Sequence, residues 1–184
     1  MSGILYGVGL GPGDPGLITV KSSRLISGAK VIAYPSLAGG KSFARAIAAD
    51  LISPQAEEIV MDVPMTVERA PAQAAYDIGA KSIAAALDRD DDVICLCEGD
   101  PFFYGSFMYL YARLAADYQV EVVPGVTSIT ACAARAGMPL AARNERLTVL
   151  PGPLPAGELR ARIEGAESVV IMKVGRHLPK IRAV

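Results

Sequence analysis

Histidine and cysteine are scarce in this chain of 184 residues: there is one histidine, His177, and three cysteines, Cys95, Cys97 and Cys132. Cys95 and Cys97 stand two apart in the strand-like run Val93-Ile94-Cys95-Leu96-Cys97, sharing a face without forming a Cys-x-x-Cys pair, and His177 is distant from both. This pattern argues against a metal centre and predicts three buried apolar thiols. His177, beside Arg176, is expected on the surface or in a loop rather than in catalysis. Long apolar runs are missing too. None approaches the roughly 20 residues of a spanning helix, and Met1-Ser2-Gly3 carries no basic segment ahead of an apolar one, so a cytoplasmic protein without an export signal is expected. Nor is there an excess of one charge: the formal net charge of −1 argues against broad nucleic-acid or membrane binding.

What is present is apolar and ordered. With 52% hydrophobic and 20% charged residues, the chain has enough material for one large core or two small ones, and disorder is disfavoured. The charges are unevenly divided. Residues 1–120 hold nine Lys and Arg against fourteen Asp and Glu, whereas residues 121–184 hold nine against five. A basic surface in the second part, drawn from Arg135, Arg143, Arg146, Lys173 or Arg176, is suited to an acidic ligand; ordinary solvated helix faces fit these residues equally well.

Strand-like and helix-like segments alternate along the chain. Strands are expected at Ile4–Val8, Val31–Tyr34 (closed by Pro35), Glu58–Met61, Val93–Cys97, Val120–Val123, Leu147–Leu150 and Val169–Val174. Helices are expected over Thr19–Ile26 ahead of Gly28, through Phe43, Ile47, Ala48 and Leu51, from near Pro71 along the stripe Tyr76, Ala80, Ile83, Ala84 and Leu87, through Phe107, Tyr111 and Leu114, over Ser128–Ala136 ahead of Gly137, and around Leu159 and Ile163. Alternation of this kind predicts an α/β fold with a largely parallel sheet. A domain boundary is expected near Pro124-Gly125, giving domains 1–123 and 124–184.

Three strands each lead into a glycine-bearing loop: Gly7-Val-Gly-Leu-Gly-Pro-Gly-Asp-Pro15, Glu98-Gly-Asp-Pro-Phe-Phe-Tyr-Gly-Ser106 and Val123-Pro-Gly-Val-Thr-Ser128. Loops so short of Cβ atoms let main chain approach a ligand closely, and together they point to one small-molecule cleft. Nucleotide motifs fail on inspection. The Gly-x-Gly-x-x-Gly spacing is broken by Pro12 when counted from Gly7 and by Asp14 when counted from Gly9; no Gly-Lys-Ser/Thr is present; and the second strand ends at Tyr34-Pro35-Ser36 without a carboxylate for a ribose.

The ordered set Gly9-Leu-Gly11-Pro-Gly13-Asp14-Pro15 with Leu17, Thr19 and Lys21, then Gly99-Asp100-Pro101, then Pro124-Gly125-Val126-Thr127-Ser128, resembles the tetrapyrrole methyltransferases over essentially the whole chain. These enzymes use S-adenosylmethionine on precorrins, uroporphyrinogen and, in one branch, the diphthamide precursor. The stretches Ala33-Tyr34-Pro35, Val63-Pro64-Met65, Cys97 to Phe107 and Ile171-Met172-Lys173-Val174-Gly175-Arg176 look most like the cobalamin-pathway branch that methylates precorrin-2 at C20. The resemblance implies two α/β/α domains with the ligand cleft between them, a second domain continuing past Val184, S-adenosylmethionine as co-substrate, precorrin-2 as substrate, and a homodimer.

Matching motifs carry roles over residue by residue. Pro12 would line the cleft; Glu98, Gly99, Asp100 and Phe103 would meet the donor's methionine end and ribose; Thr127 and Ser128 would serve it from the third loop; and Val174 would lie by the adenine. Tyr104 and Ser106 would face the macrocycle, with Arg143 and Arg146 holding its carboxylates. Structural readings stand beside these: tight turns for the glycines and prolines, helix N-capping for Thr127 and Ser128, an Asp100 bonded to its own backbone, a Tyr104 in the core. No catalytic residue is assigned; the candidates are Asp100, Glu98 and Tyr104. Where uroporphyrinogen-directed relatives carry an aspartate after the second strand this chain has Pro35, and where they carry a lysine after the third it has Asp62-Val63-Pro64, so a base copied from them has no counterpart. A sister precorrin or cobalt-precorrin methyltransferase, or a non-catalytic protein binding S-adenosylmethionine or a tetrapyrrole, remains an alternative.

Overall fold

The computed structural model describes residues 2–37, 40–64 and 69–184, which divide into two compact units, Met1–Ser128 and Ile129–Val184. The division falls a few residues beyond the expected joint at Pro124-Gly125.

The first unit is built on a five-stranded parallel sheet of order β3-β2-β4-β1-β5, comprising β1 (Leu5–Gly9), β2 (Val31–Leu37), β3 (Glu57–Val63), β4 (Val93–Cys97) and β5 (Val120–Val123). The central strand β4 is buried along its whole length, and its alternating side chains feed two cores. Val93, Cys95 and Cys97 join a cluster with Tyr76, Ile83 and Leu87 of α3 (Arg69–Leu87) and Phe107, Leu110 and Leu114 of α4 (Phe107–Leu114). Ile94 and Leu96 join the opposite cluster, with Ile26 of α1 (Val20–Ser27) and Ala44 and Ile47 of α2 (Phe43–Ile47). The chain runs from β1 to β3 in one direction across the sheet and from β3 to β5 in the other, so right-handed crossovers put α1 and α2 on one face and α3 and α4 on the other. Loops after neighbouring strands therefore leave toward opposite faces and open crevices at the carboxyl edge.

The second unit contains α5 (named from Ser128–Ala136, its first residue at the division), the parallel pair β6 (Leu147–Pro151) and β7 (Ser168–Met172), the intervening α6 (Ala156–Glu164), a 3-10 turn at Gly175–His177 and α7 (Leu178–Arg182). Ile129, Leu150 and Leu159 are its buried apolar anchors among the described residues. Among the described residues no helix is long and apolar enough to cross a membrane.

Several expectations need correction. Pro35 does not close β2, which runs on to Leu37: β4 pairs β2 only at Val31–Ala33, and the Pro35 carbonyl accepts from Ser42 Oγ at 2.7 Å instead of from a strand N–H, so the missing proline donor disrupts no ladder there. β7 ends at Met172 rather than Val174, because Lys173 turns to φ 55. Helix α2 stops at Ile47, and Phe43, expected on its apolar stripe, is exposed. In α4 the buried seam is Phe107, Leu110 and Leu114, with Tyr111 exposed. Cys95 and Cys97 are buried, but Cys132 is exposed on α5. The helix α7 had no counterpart in the sequence reading.

Candidate functional site

The three glycine loops meet. Because β1 lies between β4 and β5, their loops emerge side by side at one edge of the sheet. Leu10 N–H donates to the Cys97 carbonyl at 2.9 Å, and Gly11 and Gly99 form an isolated antiparallel bridge, exchanging N–H···O bonds of 3.2 and 2.7 Å. A Cβ added to Gly125 would lie 2.0 Å from the Gly99 oxygen, and one added to Gly9 would lie 2.5 Å from the Gly125 nitrogen. Three main chains thus touch at a point that admits no side chain. From α1, Ser22 Oγ donates to the Gly9 carbonyl at 3.0 Å and anchors the first loop from below.

Asp100 bolts the second loop to the third. Its Oδ1 accepts from Phe102 N–H at 2.9 Å, and its Oδ2 accepts from Gly125 N–H at 3.1 Å. Both oxygens therefore have main-chain donors, and the turn-forming role extends to a cross-loop clamp. Pro12 is half-buried in the first loop. Phe103 and Tyr104 set their rings edge to face at 5.2 Å, Tyr104 being held at φ 55 and partly exposed. Ser106 stands at the N-terminus of α4 without capping it through its side chain; burial raises the pKa of the Tyr76 phenol, and the Ser106 hydroxyl partly opposes that rise. Thr127 is half-buried and Ser128, the first residue of α5, is exposed.

Beside this junction the ends of β2, β3 and β4 enclose a cavity of about 340 Å³. Pro35, Ser36 and Leu37 of β2, Val63 of β3, Phe43 of α2 and Tyr76 of α3 line it, together with Lys41, Ser42 and Glu98. Among the described residues of that lining, Glu98 is the one carboxylate and Lys41 the one cation. Glu98 as a residue is exposed, yet its carboxyl sits against the cavity wall, where desolvation holds it above its ordinary pKa. Sequence reasoning had no role for Lys41, Ser42 or Tyr76. They come from two separate segments, the turn before α2 and the helix α3, and the one pointer to them was that Pro35 and Val63-Pro64 stand just past strand-like runs. Met65 of that last motif lies outside the described residues.

The remaining predicted residues belong to the second unit and are placed within it. Val174 is half-buried in the turn after β7. Arg143 is exposed at φ 48. Arg146 is engaged by Glu167, which accepts from its backbone N–H at 2.6 Å and its Nε at 3.3 Å; these bonds, the backbone one first, lower the Glu167 pKa. The structure brings together Pro12, Glu98, Gly99, Asp100 and the start of the Pro124–Thr127 loop around one edge of the first sheet.

The chain matches the family model described as Tetrapyrrole (Corrin/Porphyrin) Methylases over residues 4–184. It is 43% identical over 194 residues to a Precorrin-2 C(20)-methyltransferase of Sinorhizobium sp, covering 99% of this chain and 79% of that protein. A Cobalt-precorrin-2 C(20)-methyltransferase of Salmonella typhimurium is 32% identical across 100% of this chain and 78% of its own length. The chain spans only 37% of a longer relative, the cobalamin biosynthesis protein CobIJ of Mycobacterium tuberculosis, with 43% identity. Among solved structures, uroporphyrin-III C-methyl transferase from Thermus thermophilus, complexed with S-adenyl homocysteine, is similar at TM-score 0.60 and 28% identity over 95% of this chain and 68% of that one.

Proposed function

The chain belongs to the tetrapyrrole (corrin/porphyrin) methylases, and from that premise we propose that it transfers the methyl group of S-adenosylmethionine to C20 of precorrin-2 in cobalamin biosynthesis. The observation that carries the choice of substrate is the 43% identity, across 99% of the chain, to a relative named for this reaction. The geometry supports a donor site at the glycine junction. Gly99 is at φ 64, and a Cβ there would meet nothing within 4 Å, so one face of its main chain is open to a ligand while the other is sealed against Gly11 and Gly125. Pro12 and Phe103 supply apolar contact beside it, with Thr127 and Ser128 next along the third loop.

S-adenosylmethionine, when bound, supplies an electrophilic methyl on a sulfonium with a good leaving group already in place. The protein's part is to orient and to exclude water. The hydrogen-bonded junction keeps the three loops from shifting, and orientation of this kind is worth on the order of 7–11 kcal/mol in well-aligned cases. Lys41 in the cavity offers a cationic partner for the carboxylates of a precorrin; within the second unit, Arg143 and Arg146 are the candidates for the same role by their charge. The same reading takes the protein as a cytoplasmic homodimer, for which light scattering should return about twice the chain mass.

Incubation with methyl-labelled S-adenosylmethionine and precorrin-2, followed by carbon NMR of the macrocycle, should place the label at C20. Label at another carbon would point to a sister enzyme, and binding without transfer to a carrier. The 32% identity to the cobalt-precorrin-2 enzyme makes the cobalt-containing macrocycle the second substrate to offer; faster turnover of that form would reassign the substrate but not the reaction.

A further inference from the structure

We infer that Glu98 is the base that takes the C20 proton once the methyl group has been transferred, an assignment that rests on the reaction proposed above. In that reaction an electron pair of the macrocycle forms the new bond from C20 to the methyl carbon, and the pair of the breaking S–CH3 bond returns to sulfur. C20 is left bearing both the methyl and its original hydrogen. Loss of that hydrogen as a proton restores the conjugation, so a proton acceptor beside the macrocycle is needed, and the proton passes from Glu98 to water.

Three candidates existed, and the structure separates them. Asp100 has both oxygens committed to main-chain donors, at 2.9 and 3.1 Å, and removing either bond would loosen the loop junction. Tyr104 stands against Phe103 outside the lining of the cavity. Glu98 alone lines the cavity, and among the described residues its carboxylate has no hydrogen-bond or ion-pair partner. Its backbone is fixed on both sides: the preceding Cys97 carbonyl accepts from Leu10, and the following Gly99 is bridged to Gly11. The side chain is thus free to act while its origin is immobile, as a general base requires.

The surroundings suit the task. Among the described residues, the titratable groups beside Glu98 are Tyr76 of α3 and Lys41 from the segment after β2, which share its cavity, and Cys97 next to it in the chain. The rest of the lining is Pro35, Leu37, Phe43 and Val63 with the hydroxyls of Ser36 and Ser42. Desolvation there raises the carboxyl's proton affinity, moving it toward the range in which a carboxylate accepts protons efficiently near neutrality. Pro35 belongs to the same cavity wall and brings no carboxylate from the end of β2, which leaves that task to Glu98 at the end of β4.

Glu98→Gln, Glu98→Ala and the wild type decide the matter. Glu98→Gln should lower kcat by about 10²- to 10⁴-fold and abolish the acidic limb of the pH profile, with S-adenosylmethionine affinity by calorimetry within threefold of wild type; formate should partly restore Glu98→Ala. Retention of kcat within threefold with an unchanged acidic limb, or a loss of donor affinity as large as the loss of kcat, would overturn the assignment. If wild type labels no carbon of precorrin-2, it is the reaction that fails, and thermal stability still tests Glu98. Because the raised carboxyl loses stability as pH rises through its folded pKa, Glu98→Gln should melt slightly higher than wild type at pH 7–8, solvent screening of the exposed residue keeping the difference small, and equally well below the ordinary value of 4.5. A Glu98→Gln protein that melts lower than wild type at pH 7–8 would show the carboxylate to be a stabilising structural group and overturn the inference.

Discussion

Replacing Gly125 by alanine is the sharpest test of the loop junction. The added Cβ would lie 2.0 Å from the Gly99 oxygen and 2.9 Å from the Gly9 Cα, whereas a comfortable C···O contact is about 3.3 Å or longer. Both obstacles are backbone, so no side chain can swing aside, and the loops must part by more than about 1 Å. Such a movement breaks the Asp100 bond to Gly125 N–H at 3.1 Å and strains the Gly11–Gly99 bridge. Overpacking costs about 1–3 kcal/mol and each lost bond about 0.5–1.5 kcal/mol net, which places the total at roughly 2–4 kcal/mol. For a chain of this size that corresponds to a fall in Tm of about 5–15 °C. Differential scanning calorimetry and urea unfolding measure the loss, and titration calorimetry measures the accompanying fall in S-adenosylmethionine affinity. Gly157→Ala is the control: it lies in α6 with nothing within 4 Å of the new Cβ, so it should gain about 0.5–1 kcal/mol from helix propensity. A Gly125→Ala protein within 0.5 kcal/mol (about a third of a tenfold step in equilibrium, on the logarithmic scale) of wild type, with donor affinity intact, would refute the junction.

Asp100→Ala removes two carboxylate acceptors from main-chain donors and should cost about 1–3 kcal/mol in urea unfolding, with Asp100→Asn intermediate because one acceptor oxygen remains. Arg45 grips Glu58 through Nε and Nη2, both at 2.9 Å, and together with Tyr34 lowers the Glu58 pKa. This stabilisation is present above the ordinary carboxylate value and lost as pH falls through the depressed one, so Arg45→Ala should destabilise at pH 7, by less than about 1 kcal/mol for so exposed a pair, and not at all in strong acid. Neutralising Arg143 and Arg146 together should weaken precorrin-2 binding more than S-adenosylmethionine binding in parallel titrations; equal losses would count against their role at the substrate.

Much of the first unit was legible because its physics is local. The run Val93-Ile94-Cys95-Leu96-Cys97 is apolar on both faces, as only a strand covered on both sides requires, and the stripe from Tyr76 to Leu87 repeats at helical spacing. Pro35 misled because proline was judged by its missing N–H alone, whereas the strand beside it had already ended, a fact belonging to β4 and not to the segment around Pro35. Cys132 misled in the same way, since whether a thiol is buried depends on what packs over α5. The basic charges of the second part were counted correctly, yet the counting did not reveal that Arg146 is engaged by Glu167 from 21 positions away.

What the chain settles alone is the inventory at the carboxyl edge: glycine at 9, 11, 99 and 125, with a carboxylate at 98 and another at 100, in segments whose local preferences end a strand and turn. Those preferences act over a few residues. Which of the two carboxylates holds the loops together and which faces a cavity was decided only when β1 inserted between β4 and β5. That strand order brings Gly125 N–H within reach of Asp100 and sets Glu98 among Pro35, Val63 and Tyr76, groups drawn from strands and a helix that no local rule relates.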